Sequence, residues 1–444
     1  MVLKKIIWLI DTTTYTKEID KELREIKRNY FRIKKHVRHT TLGEHIEPKT
    51  RTFSYGLLRI ATILTHNGIE SEYIHHYDID DKLNSSAPDL VAFSTVCPTV
   101  GLADSLMQKI RAKYPTTQFA IGGPHINVAY KKTQSRYPNF NIYCNRSDIE
   151  AAEMIAQKAL ANPTGEYVNF DLLPYSIKEY QINTCTTLGC SFSCKYCQDN
   201  HVCYKEINND GHLSYLVNHL EARTCVHFCD SVLGGTAQRL LNVCSNISKT
   251  NHDFLLSCDM RAEMVNYETV EALKKAGFCE VRLGIETTDS EVLKMNNRSL
   301  GKEVFIKAIN MLRKHSNIYI TMYSVLGLPG STVQSCDDTA RFFSKMLDKK
   351  AVDEIKNCIY VPYPKDSVEY NNVHIETDNW ANYDRQSFPV YSLPTMTSRE
   401  IWNAYLKTGR IINKYWMKGQ GISDISEISN NTYNEYISSS YAVI

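Results

Sequence analysis

Residues 190–197 read Cys190-Ser-Phe-Ser-Cys194-Lys-Tyr-Cys197, and the rest of the chain is interpreted outward from this stretch. Thiolates this close in sequence can converge on one face of a small metal cluster without straining the backbone. Such runs usually hold an iron–sulfur cluster, and three ligands leave one iron of a 4Fe–4S cluster open to a non-protein ligand. Structural zinc is the alternative, but it needs a fourth ligand in a paired spacing. Neither Cys185 nor Cys203 completes such a pair.

Length, charge and hydropathy limit what the chain can be. Its 444 residues suggest two or three domains, and 43% hydrophobic with 23% charged residues is ordinary for a soluble protein. A net charge of +2 gives no reason to expect nucleic acid or a membrane surface as a partner. The apolar run Ile6–Ile10 ends at Asp11, too short for a signal peptide, and no stretch approaches the roughly 20 apolar residues of a membrane helix. We therefore expect a cytoplasmic protein.

The other cysteines are scattered through the sequence. With no secretion signal, metal binding and buried thiols explain them better than disulfides do. Eight sit in or beside apolar runs and are interpreted as small buried hydrophobes, namely Cys97, Cys225, Cys229, Cys244, Cys258, Cys279, Cys336 and Cys358. No cysteine follows Cys358, so we expect no C-terminal domain with auxiliary clusters.

Strand and helix patterns alternate over residues 1–165. The predicted strands are Lys5–Asp11, Glu72–Tyr77, Asp89–Thr95, Gln118–Ile121 and a short one near Asn141–Cys144. The predicted helices are Ser54–Gly68, Leu102–Tyr114 and Asp148–Ala161. This alternation predicts an α/β fold with a Rossmann-like doubly wound parallel sheet, whose ligand crevice lies at the carboxyl ends of the strands.

Small and hydroxylated residues follow these strands, which would let a large flat or phosphate-bearing cofactor approach the backbone. They are Thr13, Ser94, Thr95, Gly122 and Gly123.

A basic insert, Thr16–Arg51, separates the first strand from the first helix. Its start is helical in composition and rich in Lys and Arg. We favour a solvated helix with Glu–Lys pairs four residues apart. The alternative is a lid over a cofactor edge or a docking site for an acidic group of the substrate.

Residues 180–370 contain a second series of strands and helices. The predicted strands are Val226–Cys229, Phe254–Cys258, Glu280–Ile285, Tyr319–Leu326 and Glu354–Val361, with helices such as Tyr267–Lys275 and Lys302–Lys314 between them. The pattern predicts a partial β/α barrel with its chemistry at the carboxyl mouth. Residues 371–444 form a small, mostly helical C-terminal region, where Ser398–Tyr415 is a predicted helix with Trp402 and Tyr405 packed inward.

Polar groups and glycine turns end the barrel strands in a characteristic order. They are Asp230, Asp259, Arg261, Gly284-Ile-Glu286-Thr, Gly327-Leu-Pro329-Gly and Pro362-Tyr-Pro364. Together with the three cysteines, the helix SYGLLRIATIL and the turn IGGPH, they resemble the radical S-adenosylmethionine (SAM) enzymes that carry a cobalamin-binding domain, a class of cobalamin-dependent methyltransferases.

The resemblance implies three cofactors and their contacts. Cys190, Cys194 and Cys197 would hold the 4Fe–4S cluster. SAM would contact Tyr196 (at its adenine), Asp230, Asp259, Arg261, Glu286, Gly327 and Pro329. Cobalamin would contact Thr13, Ser94, Thr95, Gly122 and Gly123.

The chain departs from the family pattern in three places. Cobalamin proteins that ligate cobalt with histidine carry D-x-H-x-x-G after the first strand, but here Thr13 stands at the histidine position. Asn145-Arg-Ser-Asp148 replaces an acidic G-E-G-E-like turn, and Ser231 replaces the second acid of an F-x-D-D segment. If cobalamin binds, no histidine of that motif ligates its cobalt.

The activity implied by the resemblance is methylation of an unactivated carbon in a small molecule or peptide, using SAM and methylcobalamin. An electron donor such as flavodoxin or ferredoxin would reduce the cluster. Three alternatives stay open: ring formation, ring contraction or rearrangement without methylation; radical chemistry with a first domain that has lost cobalamin; and a sensing module with a regulatory cluster.

Overall fold

The structure is a computed structural model that describes residues 6–13, 20–42, 51–85, 87–145, 147–161, 168–201, 204–207, 210–298, 300–366 and 372–428. Cys203, part of the basic insert and the end of the chain lie outside these ranges. Within them the architecture consists of two parallel sheets, each flanked by helices.

The first sheet is parallel and five-stranded within the described residues. Its strands are β1 (Ile7–Asp11), β2 (Ser71–His75), β3 (Leu90–Ser94), β4 (Gln118–Gly122) and β5 (Ile142–Tyr143), in the order β2-β1-β3-β4-β5. The helices of this part are α1 (Lys21–Leu42), α2 (Tyr55–His66), α3 (Ile79–Lys82), α4 (Val100–Lys113), α5 (Pro124–Arg136) and α6 (Asp148–Ala156). This order reverses between β1 and β3, which confirms the doubly wound fold and puts the ligand crevice there.

The second sheet is the predicted partial barrel. Its strands are β6 (Ile182–Thr184), β9 (Cys225–Phe228), β10 (Leu255–Arg261), β11 (Phe278–Glu286), β12 (Tyr319–Leu326) and β13 (Glu354–Ile359), all parallel and in the order β13-β12-β11-β10-β9-β6. Short strands β7 (Thr187–Leu188) and β8 (Lys205–Glu206) pair beside it, as do β14 (His374–Ile375) and β15 (Tyr391–Ser392).

Helices alternate with the barrel strands and cover their outer face. They are α7 (Asp210–His219), α8 (Ala237–Ile247), α9 (Tyr267–Lys275), α10 (Ser290–Met295), α11 (Lys302–His315) and α12 (Val333–Asp348). The long α13 (Ser398–Gln420) follows the barrel and packs on α12, with Trp402 and Tyr405 buried as predicted.

Helix α1 corrects our interpretation of the basic insert. The segment is helical, but it is not a solvated helix: it buries Leu23, Ile26, Ile33, Val37 and Arg38. The Nδ2 of Asn413 on α13 donates to the Ile26 carbonyl at 2.8 Å, and Arg38 reaches Glu280 in the barrel at 2.9 Å. The apolar positions of α1 recur at helical spacing, and this periodicity carries more weight than the many Lys and Arg residues between them.

Two further expectations need correction. Pro124–Arg136 is helix α5, but we predicted only a turn there. A glycine followed by a proline is a turn signal, although proline is also favoured in the first turn of a helix, as it is here after Gly123. The buried-cysteine interpretation holds for Cys97, Cys244, Cys258 and Cys336; Cys225 is exposed, and Cys229, Cys279 and Cys358 are half-buried.

Candidate functional site

The cysteine loop follows β7 at the carboxyl mouth of the barrel. The Cys197 N–H donates to the Cys194 carbonyl at 3.0 Å, which closes a turn around Cys194-Lys-Tyr-Cys197. Arg261 Nη1 lies 3.3 Å from the Cys194 sulfur, and its guanidinium carbon lies 4.0 Å from the Phe192 ring centroid. A cation is therefore held beside one of the three thiols, which suits an anionic iron–sulfur cluster.

The three thiols lie on the same loop, but they do not by themselves form a complete set of metal ligands. Among the described residues no three His, Cys, Asp or Glu side chains are gathered as a metal site. Burial raises the pKa of Cys197 to about 12, so its thiolate needs a positive partner such as iron. The donor set is soft and sulfur-only, which fits an iron–sulfur cluster.

Neighbouring segments hold the loop from two sides. The buried Lys365 donates from Nζ to the Cys197 carbonyl at 2.6 Å. On the other side, Asn297 Nδ2 donates to the Ser193 carbonyl at 3.0 Å, and the Lys195 N–H donates to the Asn296 carbonyl at 3.1 Å. Neither Lys365 nor Asn297 was predicted from the sequence, because nothing in their local sequence marks a distant carbonyl partner.

Asp230 anchors the approach to the loop. Its carboxylate accepts from the Thr186 N–H at 3.0 Å and from the hydroxyls of Thr186 and Thr187, each at 2.7 Å. Burial raises the pKa of Asp230, and these hydrogen bonds oppose the rise. Thr186 and Thr187, which precede the cysteine loop, occupy both oxygens of Asp230, and its contact with SAM stays a prediction.

Glu286 is the centre of a buried polar group beside the cysteine loop. Its Oε1 accepts from Tyr196 Oη at 2.8 Å and from Arg298 Nη1 at 2.7 Å, and Arg298 Nη1 also donates to Tyr196 Oη at 3.0 Å. Its Oε2 is buried without a partner. A buried acceptor of this kind needs a donor, and the amino group or ribose hydroxyls of a ligand would supply one.

Asp259 lies on the inner face of the barrel next to a buried histidine. Its Oδ2 is 3.5 Å from His227 Nε2, and its Oδ1 has no hydrogen-bond partner. His227 Nδ1 is 3.0 Å from Ser257 Oγ. Burial, with the nearby Arg282, lowers the pKa of His227, which keeps the imidazole neutral.

The glycine turn after β12 packs against the C-terminal region. Gly327 has φ +72°, and an added Cβ would lie 2.4 Å from Tyr391 Oη and 2.8 Å from Ile401 Cγ2. The Pro329 carbonyl accepts from Asn296 Nδ2 at 2.9 Å. Packing alone therefore requires this glycine, and the contact of Gly327 and Pro329 with SAM stays a prediction.

The residues predicted to contact cobalamin share the carboxyl edge of the first sheet. Ser94 Oγ lies 2.9 Å from Ser54 Oγ, Thr95 Oγ1 donates to the Gly122 carbonyl at 2.9 Å, and Thr13 Oγ1 donates to Asp11 at 2.6 Å. Gly123 has φ +97°, and an added Cβ would lie 2.6 Å from the Thr95 nitrogen. All five residues thus lie at this edge of the sheet, and each of the three hydroxyls has a hydrogen-bond partner there.

A buried histidine at this edge has an unused nitrogen. His125 Nδ1 has no partner, while Nε2 lies 2.9 Å from Thr133 Oγ1. The ring centroid is 4.7 Å from that of Trp380. Burial lowers the pKa of His125 to about 3, so the ring is neutral and can accept or donate a hydrogen bond. This orphaned atom fits a site for a polar ligand.

The two edges meet. Gln198, the residue after Cys197, donates from Nε2 to the Pro124 carbonyl at 2.9 Å. Asp366, next to Lys365, accepts from the backbone N–H groups of Lys131 and Lys132 on α5. The cysteine loop therefore lies against the Gly122–Pro124 turn of the first sheet.

Comparison with known proteins identifies the class of the second half. The profile of the Radical SAM superfamily matches residues 184–343, so this part of the chain is a radical SAM domain. Such a domain holds a 4Fe–4S cluster and SAM as its cofactors.

Two solved structures are similar to this chain over most of its length. TsrM, a radical SAM methyltransferase from Kitasatospora setae solved with cobalamin and a 4Fe–4S cluster bound, matches with a TM-score of 0.61 and 13% identity over 92% of this chain and 89% of that one. OxsB, a cobalamin-dependent radical SAM enzyme, matches with a TM-score of 0.56 and 13% identity over 80% of this chain and 53% of that one. These structures confirm the predicted fold class.

A relative in sequence is an uncharacterized methyltransferase of Pyrococcus horikoshii, 24% identical over 52% of this chain and 52% of its own. The chain therefore spans about half the length of that relative. Among the described residues, no helix has the length and apolar character that crossing a membrane requires.

Proposed function

We propose that the chain is a cobalamin-dependent radical SAM enzyme that methylates an unactivated carbon of a small molecule or peptide. The observation that supports this most directly is the contact between Gln198 and Pro124, which puts the cysteine loop beside the carboxyl edge of a Rossmann-like sheet. When bound, the cluster and SAM supply a carbon-centred oxidant and a corrinoid supplies a methyl group. The protein binds and orients these groups and excludes water.

At the cluster end, each residue has a definable task. Cys190, Cys194 and Cys197 would hold iron, and Arg261 would place a positive charge beside it. Glu286 Oε2 would accept a hydrogen bond from SAM, while Arg298 fixes the orientation of the carboxylate. We propose Tyr196 as the aromatic wall against the adenine, with its hydroxyl fixed on Glu286.

At the other end, Thr13, Ser94, Thr95, Gly122 and Gly123 would form the floor under a corrinoid. Their hydroxyls and backbone are neutral and closely packed, which suits a broad ligand without a fixed charge. The Nδ1 of His125 is available for a polar group of that ligand. We propose a flavodoxin- or ferredoxin-type reductant as the electron donor.

Cofactor content tests the proposal. The chain would be reconstituted anaerobically with iron, sulfide and hydroxocobalamin, desalted, and analysed for metals and for its visible spectrum. We expect about four irons and about one cobalt per chain. Cys194→Ala should lose the iron and keep the cobalt, whereas Cys225→Ala, which removes an exposed thiol, should keep both.

Iron without cobalt would reduce the first domain to a scaffold and refute the methyltransferase proposal. If both metals bind, the products of SAM distinguish methylation from its alternative. Methylation releases both deoxyadenosine and S-adenosylhomocysteine, while ring formation or rearrangement releases deoxyadenosine alone.

A further inference from the structure

A carboxylate that has no task in the proposed function lies beside the cysteine loop. Asp199 comes shortly after Cys197, in the short 3₁₀ helix Gln198–His201 that begins directly after the loop. The side chain of Gln198 fixes this helix on the Pro124 carbonyl, with Nε2 donating at 2.9 Å. The backbone itself therefore keeps Asp199 close to the last of the three cysteines.

The Asp199 side chain is held by Ser231, which lies just beyond strand β9. Ser231 Oγ donates to Asp199 Oδ2 at 2.6 Å and lies 3.5 Å from the carbonyl oxygen of Gly189, the residue before Cys190. One hydroxyl thus connects the carboxylate to the start of the cysteine loop, while the backbone connects it to the end. The carboxylate is therefore tied to the loop on both sides, near Cys190 and near Cys197.

Ser231 is also a position at which the chain departs from the F-x-D-D pattern, because serine replaces the second acid. The hydrogen bond from Ser231 brings the carboxylate of Asp199 to that position from another segment of the chain. This neighbourhood of the cluster loop therefore keeps a carboxylate that its own strand lacks.

The charge of Asp199 reaches two of the three thiols. Burial raises the pKa of Cys190 and of Cys197, and the Asp199 carboxylate raises both further. The Asp199 N–H opposes this rise at Cys197, because it donates a hydrogen bond to the sulfur. Asp199 therefore acts on the cluster ligands through both its charge and its backbone.

Cations act on the same loop from other sides. Arg261 Nη1 lies 3.3 Å from the Cys194 sulfur, and Lys365 Nζ donates to the Cys197 carbonyl at 2.6 Å. Burial lowers the pKa of Lys365, and the charges of Cys197 and Asp199 oppose that change. The cluster loop thus lies between charges of both signs, and Asp199 supplies negative charge.

We propose that Asp199 tunes the reduction potential of the iron–sulfur cluster and makes the cluster a stronger reductant. The inference rests on the proposed function, because it needs a cluster on the three cysteines. Net charge and hydrogen bonds to the sulfurs are among the factors that set the potential of such clusters. A cluster gains a negative charge on reduction, and Coulomb repulsion from a nearby carboxylate makes that gain less favourable. Asp199 therefore lowers the potential, whereas Arg261 raises it.

A purely structural role of Asp199 predicts a different result. If the carboxylate served only to bind Ser231, Asp199→Asn would leave the potential unchanged, because the amide oxygen still accepts the same hydrogen bond. If the charge matters, Asp199→Asn changes the potential and Asp199→Glu, which keeps the charge, does not.

The test is a dye-mediated redox titration of the reconstituted full chain without SAM, followed by visible absorbance under anaerobic conditions at constant ionic strength. For a one-electron couple, we expect Asp199→Asn to increase the ratio of reduced to oxidised cluster about tenfold at a given potential, which raises the midpoint by about 59 mV. Arg261→Gln removes a cation beside Cys194 and should shift the midpoint in the opposite direction. Asp199→Glu should stay close to the wild type.

Asp348→Asn is the matched control. It makes the same change of charge at the C-terminal end of α12, where Asp348 pairs with Lys418, and should leave the midpoint unchanged. The proposal is overturned if Asp199→Asn also leaves the midpoint unchanged, or if Asp199→Glu shifts it as far as Asp199→Asn does.

Iron analysis precedes each titration. If Asp199→Asn retains too little iron, Ser231→Ala replaces it, because this variant keeps the charge but releases the carboxylate from the loop. Ser231→Ala should raise the midpoint by a smaller amount, and an unchanged midpoint there would equally overturn the proposal. A wild type that binds no iron would instead contradict the proposed function, so the two failures are distinguishable.

Discussion

Glu286 combines an unusual backbone with an unusual side chain. Its φ of +60° lies in the left-handed region, where a non-glycine residue costs about 1–3 kcal/mol and persists only if its surroundings hold it. Arg298 and Tyr196 provide that support through Oε1, and Oε2 is left without a partner. Strain at a residue with an orphaned acceptor is typical of a binding site.

Arg298 should matter more for stability than a surface arginine. Its side chain is 3% exposed and that of Glu286 10%. Arg298→Met would leave the carboxylate buried and unpaired, so we expect a loss of about 3–5 kcal/mol in unfolding free energy, measured by urea denaturation. Arg341→Met breaks an exposed pair with Asp338 and should change little. Equal effects of the two variants would contradict a supporting role for Arg298.

Lys365 should govern how firmly the cluster is retained. Its ammonium group holds the Cys197 carbonyl, so Lys365→Met frees one end of the cysteine loop. We expect iron loss to a chelator from the reconstituted protein to accelerate roughly tenfold, the usual scale for residues that orient metal ligands. Lys131→Met, on exposed α5 surface nearby, is the control. Unchanged iron release in Lys365→Met would mean that the loop is held by its other contacts alone.

At the scale of elements, α1 links the start of the chain to the barrel. Burial alone would raise the pKa of Glu280, but Arg282 and Arg38 outweigh it and hold that pKa well below its usual range. The pKa of Glu354 is lowered too, because Lys34, Lys356 and Arg38 outweigh burial and the repulsion of Glu280. A lowered folded pKa gives stability that is complete above the unfolded value, about 4.3, and is lost as pH falls through the folded value.

Arg38→Met should therefore have a pH-dependent cost. We expect the variant to lose about 1–3 kcal/mol at pH 7, since Glu280 keeps Arg282 as a partner. The difference from wild type should stay constant down to about pH 5 and shrink below about pH 4, as the glutamates protonate. Thermal unfolding across this range measures it. A difference that persists undiminished in acid would show that Arg38 acts by packing.

The contact between helices α12 and α13 leads to a second prediction about how the elements pack. A Cβ at Gly419 would lie 2.2 Å from the Leu347 carbonyl oxygen, whereas one at Gly56 in α2 meets nothing within 4 Å. Gly419→Ala should lower unfolding free energy by about 1–3 kcal/mol, because backbone must move. Gly56→Ala should raise it by about 0.5–1 kcal/mol through helix propensity. Chemical denaturation of both variants checks this, and a stabilising Gly419→Ala would refute the close contact.

Local periodicity in the sequence predicted most of these elements, and each of its two failures has a physical cause. Tyr319–Leu326 and Tyr267–Lys275 have the predicted bounds, and the helix predicted over Ser54–Gly68 is α2, with Ser54 as its N-cap. Helix α5 was missed because its glycine–proline start is also a turn signal. The environment of α1 was mispredicted because composition does not say which face of a helix finds a partner.

The candidate site was predictable where a motif is contiguous. The cysteines and Glu286 lie in short recognisable segments, and the structure brings Glu286 to Tyr196. Arg298 and Lys365 act through partners far away in sequence, Tyr196 and Cys197, so no local pattern marks them. A usable signal did exist in β11, where Glu280 and Arg282 interrupt an apolar strand and indicate a polar barrel interior.

At the scale of the whole molecule, the two sheets share their hydrophobic cores. One cluster joins Leu9 of the first sheet to Leu283 of the barrel, and another joins Phe93 to Trp402 of α13. Polar contacts cross the same boundary, including His75 Nε2 to Tyr180 Oη at 2.8 Å. Packing of this extent couples the stability of the two halves.

We therefore expect the metal-free chain to unfold in one cooperative transition in urea, with far-ultraviolet circular dichroism and tryptophan fluorescence coinciding. Leu9→Ala and Leu283→Ala remove fully buried side chains from opposite sheets and should each shift the whole transition by about 2–5 kcal/mol. If the halves were independent, each variant would move one phase and leave the other in place. A single coupled transition would mean that the cysteine loop and the facing sheet edge are held in register before any cofactor binds.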